Sequence, residues 1–234
     1  MTVACLYDVH GNVRALDAVL AELERLEVDA IVLGGDHVGG PWPAETLARL
    51  RSLGGEVHWI RGNGERELVP GEEGPASLHV TEFVRSRLSP ADIEELAGAP
   101  LTVRLEVEGL GPVLFCHATP RDDTEIRTAI SPDERWLEVL AGVEESVVVC
   151  GHTHVQFDRT VGSTRVVNAG SVGMPYEDEP GAYWLLLGPG VELRRTPYDV
   201  AGTIAAIEAG DYPDEWPQAT AEEATTYFES LVDA

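Results

Sequence analysis

Positive charge is what this chain has least of. Only 16 of its 234 residues are Lys or Arg, against 41 Asp and Glu, a formal charge of −25 at pH 7 with His neutral. That balance opposes loose association with DNA, RNA or anionic lipid, because no counterion-release term is available to hold a polyanion. A solvated acidic surface is the expected reading, and a small anionic substrate is admissible only inside a local positive pocket. Cysteine is scarce as well. Cys5, Cys116 and Cys150 each sit in an apolar strand-like run with no CxxC spacing, and read as core residues rather than as a disulfide framework or nucleophiles. No apolar run approaches the length of a membrane span, so no membrane partner is expected. Residues 1–7 carry no basic segment ahead of their apolar stretch, so a secretory signal is not expected and a cytoplasmic location is. Low-complexity segments and solenoid periods are also missing.

What is there is ordinary globular material: 44% hydrophobic residues and a mean hydropathy of −0.07, enough for one domain spanning 1–234. Three early units repeat one logic, an apolar β-like run, a polar turn and an amphipathic stretch. Residues 3–7 lead to Asp8-Val9-His10-Gly11-Asn12 and a helix over 13–26 with Leu16, Val19, Leu20 and Leu23 on one stripe. Residues 30–33 lead to Gly34-Gly35-Asp36 and a helix over 43–53, and residues 57–60 lead to Arg61-Gly62-Asn63-Gly64-Glu65. These are successive βα units of a parallel sheet, whose right-handed crossovers bring the carboxyl ends of the strands together, where open α/β sheets bind ligands. Residues 70–100 read as helical, with a second helix starting at Ser89-Pro90, and are expected to cap the site. From 101 the period changes to two: strands over 101–107, 113–116, 147–150, 155–161, 164–168, 183–187 and 191–196 are expected to form a second sheet. Helices over 199–209 and 220–232 close the chain.

Collecting the polar residues at strand ends gives Asp8, His10, Asp36, Asn63, His117, His152 and His154. Asp8 with His10, and His152 with His154, are two apart; in an extended strand such pairs project from one face and can grip one object. The N and O donors suit a borderline transition metal such as Mn, Fe, Ni or Zn, and there are enough of them for two ions. Asp36, beside glycines that let a cofactor approach, is the natural carboxylate to bridge two cations about 3.5–4 Å apart. Taken singly, each residue reads as readily as a helix cap or a core histidine; seven at strand ends point to metal.

D-x-H, G-D, G-N-x-E, H and G-H-x-H, in this order, resemble the motifs of the calcineurin-like metallophosphoesterases. The resemblance extends to His117-Ala118-Thr119-Pro120-Arg121, where relatives often read H-G-S-P-R, and to Asn168-Ala169-Gly170-Ser171-Val172-Gly173-Met174-Pro175, similar to the N-P-G-S-V-G-x-P of the small bacterial, phosphodiesterase-like branch. It implies an α/β fold of four layers, a two-sheet β-sandwich flanked by α-helices, and hydrolysis of phosphoesters by a hydroxide held on two divalent transition metal ions, manganese favoured. It further implies Asp8, His10, Asp36 and His154 as ligands of one ion and Asp36, Asn63, His117 and His152 as ligands of the other. Asp36, Asn63, His117 and Arg121 are then the residues expected to act on the substrate, a small phosphoester with nucleotides among the candidates and no stable nucleic-acid complex.

One position departs from that pattern. Relatives carry histidine in the third place of G-N-H-[DE], assigned to phosphate contact and protonation of the leaving oxygen, where this chain has Gly64. A general acid is worth roughly 10²–10⁴ in rate, so its absence predicts a preference for phosphodiesters, or for acidic leaving groups, over alkyl monoesters. His37 follows Asp36, but neighbours in a strand-like segment point to opposite sides, which argues against it as a substitute. Arg61 and Arg66 serve equally as phosphate contacts or as counter-charges, Glu65 is expected to orient a histidine or the Asn63 loop, and Asn12 to hold the Asp8 turn. His58 and His79 read as ordinary residues. Two other readings compete, a catalytically weak binding or scaffold protein on the same fold, which the complete donor set opposes, and a phosphoprotein phosphatase.

Overall fold

The structure, a computed structural model, describes residues 1–72 and 74–232. Its first half follows the βα repeat. Strands β1 (Val3–Leu6), β2 (Ala30–Leu33) and β3 (Glu56–Trp59) lie parallel and in register, Cys5 beside Val32 and Val32 beside His58. Helix α1 (Val13–Leu23) starts where the Asn12 side chain accepts from the Ala15 N–H, and buries Leu16, Val19, Leu20 and Leu23. Helix α2 (Pro43–Arg51) begins on a proline, whose fixed φ is already helical. A short α3 (Asn63–Glu67) is followed by α4 (Leu78–Arg87) and α5 (Pro90–Ala97), the latter entered through a Ser89–Asp92 capping box. α4 and α5 occupy the 70–100 segment read as helical; the Arg85 guanidinium fastens α4 to the end of α3 by donating to the carbonyls of Glu67, Leu68 and Val69.

The second half contains β4 (Thr102–Val107), β5 (Gly111–Cys116), α6 (Asp133–Val139), β6 (Val147–Cys150), β7 (Phe157–Val161), β8 (Thr164–Asn168), β9 (Ala182–Leu187), β10 (Val191–Thr196), α7 (Val200–Glu208) and α8 (Ala221–Val232). Two five-stranded mixed sheets result, ordered β10-β9-β1-β2-β3 and β4-β5-β6-β8-β7. They pack face to face: Val3, Cys5, Tyr7 and Val32 from the first meet Val113, Phe115, Val149 and Val167 from the second. Alternate residues point outward, Ala4 and Leu6 against α1, and Leu114 and Cys116 against Trp136 of α6. Helices thus cover the outer faces, which is why β1 and β6 are apolar at every position rather than at alternate ones.

Two expectations change. The strands at 183–187 and 191–196 do not extend the second sheet. As β9 and β10 they return to the first, β9 antiparallel to β1 with Leu185 opposite Cys5, and β10 antiparallel to β9 at the sheet edge. Alternation identifies the two faces of a strand but not its partner, and β1 had an open edge to fill. Helix α6 was not anticipated, because seven residues are too few to display a helical period although Trp136 and Val139 are fully buried or nearly so. Among the described residues no helix is long and apolar enough to cross a membrane.

One side chain rivets the two sheets. The Gln156 amide, just before β7, donates to the carbonyl of Ala169 after β8 (3.0 Å) and to those of Trp184 in β9 (2.9 Å) and Arg194 in β10 (3.3 Å). Gln156→Leu keeps the approximate volume but leaves carbonyls unpaired, at about 1–3 kcal/mol. Urea unfolding should show that loss with an unchanged m-value; a loss below about 0.5 kcal/mol would mean that water replaces the amide.

Candidate metal centre

Five strands deliver the candidate residues. Asp8 and His10 follow β1, Asp36 follows β2, Asn63 follows β3, His117 follows β5, and His152 and His154 follow β6. The carboxyl ends of parallel strands from both sheets therefore converge on one place. The local geometry is not the extended one on which the same-face argument relied. Asp8 (φ 52°), His10 (46°), Asp36 (52°), His152 (67°) and His154 (57°) are left-handed, and they are the non-glycine residues with positive φ among those described. Each such conformation costs about 1–2 kcal/mol for a residue with a Cβ. The turns aim the side chains inward, where a continued strand would have turned alternate ones away.

The surroundings hold these turns. Glu65 is fully buried and accepts three backbone N–H groups, those of Asp36 and Gly62 at 2.8 Å and that of His37 at 2.7 Å, which ties the Asp36 turn to the Asn63 loop. The carbonyl of Asp8 accepts from Ser171 Oγ (2.7 Å) and from the Gly173 N–H (3.0 Å), so the Asn168–Pro175 segment braces the first turn. Asn12 joins the same brace through Nδ2, donating to the Gly173 carbonyl at 2.8 Å. At Gly151 a Cβ would collide with Asp8 Oδ2, so only glycine lets β6 approach the carboxylate this closely.

Each imidazole is oriented by a backbone carbonyl, which can only accept and so puts the proton on the nitrogen facing it. Nδ1 of His10 faces the carbonyl of Gly39 (3.1 Å), that of His117 faces Gly34 (2.9 Å) and that of His154 faces Met174 (2.7 Å). Their Nε2 lone pairs are left for the centre. His152 is reversed: Nε2 meets the Thr124 carbonyl at 3.2 Å, leaving Nδ1 as its donor atom. Two overlapping groups result, Asp8 with His10 and His154, and Asp8 with Asp36 and His117, each with ligand atoms within 4.8 Å of one another. Asn63 and His152 border them: the Asn63 loop contacts Asp36 through the Gly64 N–H (2.8 Å), and the His152 ring lies 5.1 Å from that of His117.

The electrostatics fit cations. Burial alone would raise the Asp8 carboxyl, yet the positive charge of the His154, His117 and His10 imidazoles, when no cation is bound and they are protonated, outweighs it and holds it well below the usual carboxylate range. Asp36 is likewise lowered, His117 and His10 outweighing its burial. Burial and the neighbouring His117 push His152 down to about 4, and burial with His154 lowers His10. Asp8 Oδ1, Asn63 Oδ1 and His117 Nε2 are buried without any hydrogen-bond partner. His10 Nε2 and His154 Nε2, both lone-pair bearers by the tautomers above, stand 3.0 Å apart. Orphaned acceptors and lone pairs facing each other suit a shared divalent ion, since N and O donors of this mixture match borderline transition metals.

Other candidates lie elsewhere. Arg121 is half-exposed and paired with Glu125, Nε to Oε2 at 3.0 Å and a second nitrogen to Oε1 at 2.6 Å. His37 is buried with Nε2 on the Ile60 carbonyl (3.0 Å) and its ring edge-on to Trp59, facing away from the donor set. Arg61 and Arg66 converge on Asp123, at 3.6 and 3.0 Å. His58 pairs with Glu56, and His79 is exposed on α4. Two contributors escaped the sequence reading. Glu67 accepts from Asn63 Nδ2 at 2.9 Å, which turns Asn63 Oδ1 toward the centre, and its i, i+4 spacing from Asn63 was a usable signal. Tyr176 stacks on His154 with ring centroids 5.0 Å apart and 22° between planes; nothing local marks it.

Comparison with known proteins meets this geometry from the other side. An uncharacterised protein of Methanocaldococcus jannaschii is 25% identical over 195 residues, 80% of this chain and 74% of that one. A protein of Pectobacterium atrosepticum named as a symmetrical bis(5'-nucleosyl)-tetraphosphatase is 28% identical over 222 residues, 85% of this chain and 76% of its own length. Among solved structures, a hypothetical protein of Pyrococcus horikoshii superposes with a TM-score of 0.78 at 21% identity, covering 89% of this chain and 92% of the other. A metallophosphoesterase of Sphaerobacter thermophilus gives 0.71 at 23%, covering 89% and 94%; both likenesses speak to the fold. Residues 1–187, which carry every donor described above, match the calcineurin-like phosphoesterase superfamily domain, and the chain belongs to that superfamily.

Proposed function

We propose that this phosphoesterase works with two divalent cations, manganese favoured, and hydrolyses phosphodiesters, nucleotides among them, in preference to alkyl monoesters. The observation that carries the reading is the set of buried, partnerless acceptors at Asp8 Oδ1, Asn63 Oδ1 and His117 Nε2. Asp36 Oδ2 lies 3.7 Å from His10 Nε2 and 3.6 Å from His117 Nε2, between the two donor groups, which suits a carboxylate shared by ions about 3.5–4 Å apart. Bound there, the cations supply Lewis acidity toward phosphoryl oxygens and a lowered pKa for coordinated water. The chain's own task is to hold the donors fixed: the carbonyl partners of the four rings, the Glu65 bracket and the Glu67 contact to Asn63 keep them oriented before any substrate arrives.

Cationic help with the phosphate has to come from arginine, for the sequence contains no lysine. Arg121 reaches a substrate by leaving Glu125, and because the pair is exposed and screened by solvent the exchange costs little. Three buried cysteines that form no disulfide suit the cytoplasm. The tetraphosphatase name of a 28% identical relative makes nucleotides the first substrate class to try.

Gly64 supports the preference for diesters. Its N–H donates to Asp36 Oδ1 at 2.8 Å, and a Cβ placed on it would stand 2.9 Å from the same oxygen, closer than ordinary contacts allow. A histidine in this position needs only a slight shift of the Asp36 carboxylate end; as the loop stands it offers no acid, and no other histidine replaces it: His37 is committed to Ile60. An aryl diester, an aryl monoester and an alkyl monoester with saturating Mn²⁺ should fall in that order of kcat/KM, with the alkyl monoester lowest by roughly 10². Fast turnover of the alkyl monoester sinks the preference.

Two variants test the centre. Asp36→Asn should lower kcat/KM by roughly 10³ or more, as expected when several kcal/mol of metal-dependent stabilisation is lost, and metal analysis should find fewer than the two ions held by the parent. Retention of both ions and of activity would remove Asp36 from the shared position. Gly64→His should raise kcat/KM for the alkyl monoester, by up to roughly 10², with metal content unchanged; no gain with both ions retained would mean that the missing acid does not set the preference.

A further inference from the structure

We propose that the slot walled by Trp42, Phe83 and Tyr212 is a subsite for a flat heteroaromatic group, the nucleobase of a nucleotide substrate. The proposal rests on the phosphoesterase reading only for the phosphate end of that ligand. Aromatic residues are just 6% of the chain, yet several gather in two groups of ring contacts, one on α4 and the segment after α7, the other between His154 and α8. Phe83 of α4 meets Tyr212 edge-on at 5.8 Å, and Tyr212 meets Trp216 at 5.9 Å. In the second group Tyr176 stacks on the candidate ligand His154 and contacts Phe228 of α8 at 6.2 Å.

Trp42, Phe83 and Tyr212, each half-buried, line a cavity of about 190 Å³ with Ile207, Arg87 and Asp211. Pockets that enclose whole drug-sized ligands measure about 300–1,000 Å³, so this one takes a single ring system. Its lining is mixed. The rings and Ile207 offer surfaces for stacking, while Arg87, over the Phe83 ring at 4.8 Å and paired with Asp211, presents donors and acceptors at the edge. An alkyl chain has no use for those charges, whereas a nucleobase has both a flat face and a polar rim. Rings that only fastened α4 to the C-terminal segment would interlock instead of bordering a void.

The slot is joined to the metal centre through Trp42. The Trp42 N–H donates to the Gly11 carbonyl at 3.1 Å, and Trp42 follows closely on Gly39, whose carbonyl orients His10. A nucleotide with its phosphate at the Asp8, His10 and His154 side therefore has an aromatic surface for its base.

The test uses the full chain loaded with Mn²⁺ and three probes in calorimetric titrations: adenosine 5'-monophosphate, ribose 5-phosphate and adenosine. Stacking on aromatic side chains is worth roughly 5- to 150-fold in affinity per base, so the nucleotide should bind at least about tenfold more tightly than ribose phosphate. Phe83→Leu and Tyr212→Leu should each cut that preference about fivefold or more while ribose phosphate changes less than about twofold. Equal binding of the two phosphates by the parent overturns the subsite, and so does a parallel loss of both in the variants, which marks the rings as structural. If phosphate adds nothing and adenosine alone binds with the same sensitivity to Phe83→Leu, the slot stands and the phosphoesterase reading falls.

Discussion

Asp8 and Asp36 are buried side by side as ionised groups, and much of the molecule is arranged around that fact. An unpaired buried charge costs several kcal/mol and ordinarily escapes the cost by taking up a proton. Here the ring of imidazoles keeps both carboxyls ionised. Each carboxylate is half satisfied by backbone, Asp8 Oδ2 by the His152 N–H (2.9 Å) and Asp36 Oδ1 by the Gly64 N–H (2.8 Å). The other oxygen of each points into the donor set. The arrangement is one that gains stability when cations arrive, by about 2.7 kcal/mol per site at a metal concentration a hundred times the dissociation constant.

Backbone strain compounds this cost. Five left-handed residues at about 1–2 kcal/mol each come to a sum comparable with the 5–15 kcal/mol net stability of a whole domain. Such turns persist only where the surroundings over-determine them, and the two-sheet core supplies that rigidity. Apolar strands covered on both faces end where the turns begin, the Glu65 carboxylate takes three N–H groups at once, and the Asn168–Pro175 segment grips the Asp8 carbonyl from the second sheet. The most stable part of the fold and its most strained part are therefore covalently adjacent, which keeps the donors from relaxing into ordinary conformations.

How much of this was legible in the sequence differs by scale. The βα units, the change to strand periodicity at 101 and the seven donor candidates could be read because apolar runs, glycine-bearing turns and the D-x-H and G-H-x-H spacings are local signals. The reason given for the two pairs was wrong in its geometry: Asp8 with His10, and His152 with His154, converge through left-handed turns, and no side-chain pattern announces a positive φ at aspartate or histidine. The return of β9 and β10 to the first sheet was hidden for another reason, since partner choice depends on which edge is open after the other strands have paired. Long-range contacts were equally hidden. Thr124 sets the tautomer of His152 from 28 residues away and Tyr176 covers His154, both through tertiary placement alone.

The acidity of the chain, read first as an argument against polyanionic partners, has to be reconciled with an anionic substrate. A charge of −25 repels phosphates at long range, but at physiological ionic strength that field is screened beyond about 8 Å. Much of the surface charge is further paired locally, as in Arg49 with Asp17, Arg165 with Asp158 and Arg194 with Glu22. With the proposed pair of divalent cations bound, the balance at the centre would reverse, since two dications against two carboxylates leave a local charge of about +2 where screening is weak. Attraction is thus confined to a few ångströms around the donors. A compact phosphoester with one or two charges can enter that range, whereas a long polyanion must lie across the acidic surface to reach it. On the two-cation proposal the charge distribution itself would favour small substrates, independently of the shape of any pocket.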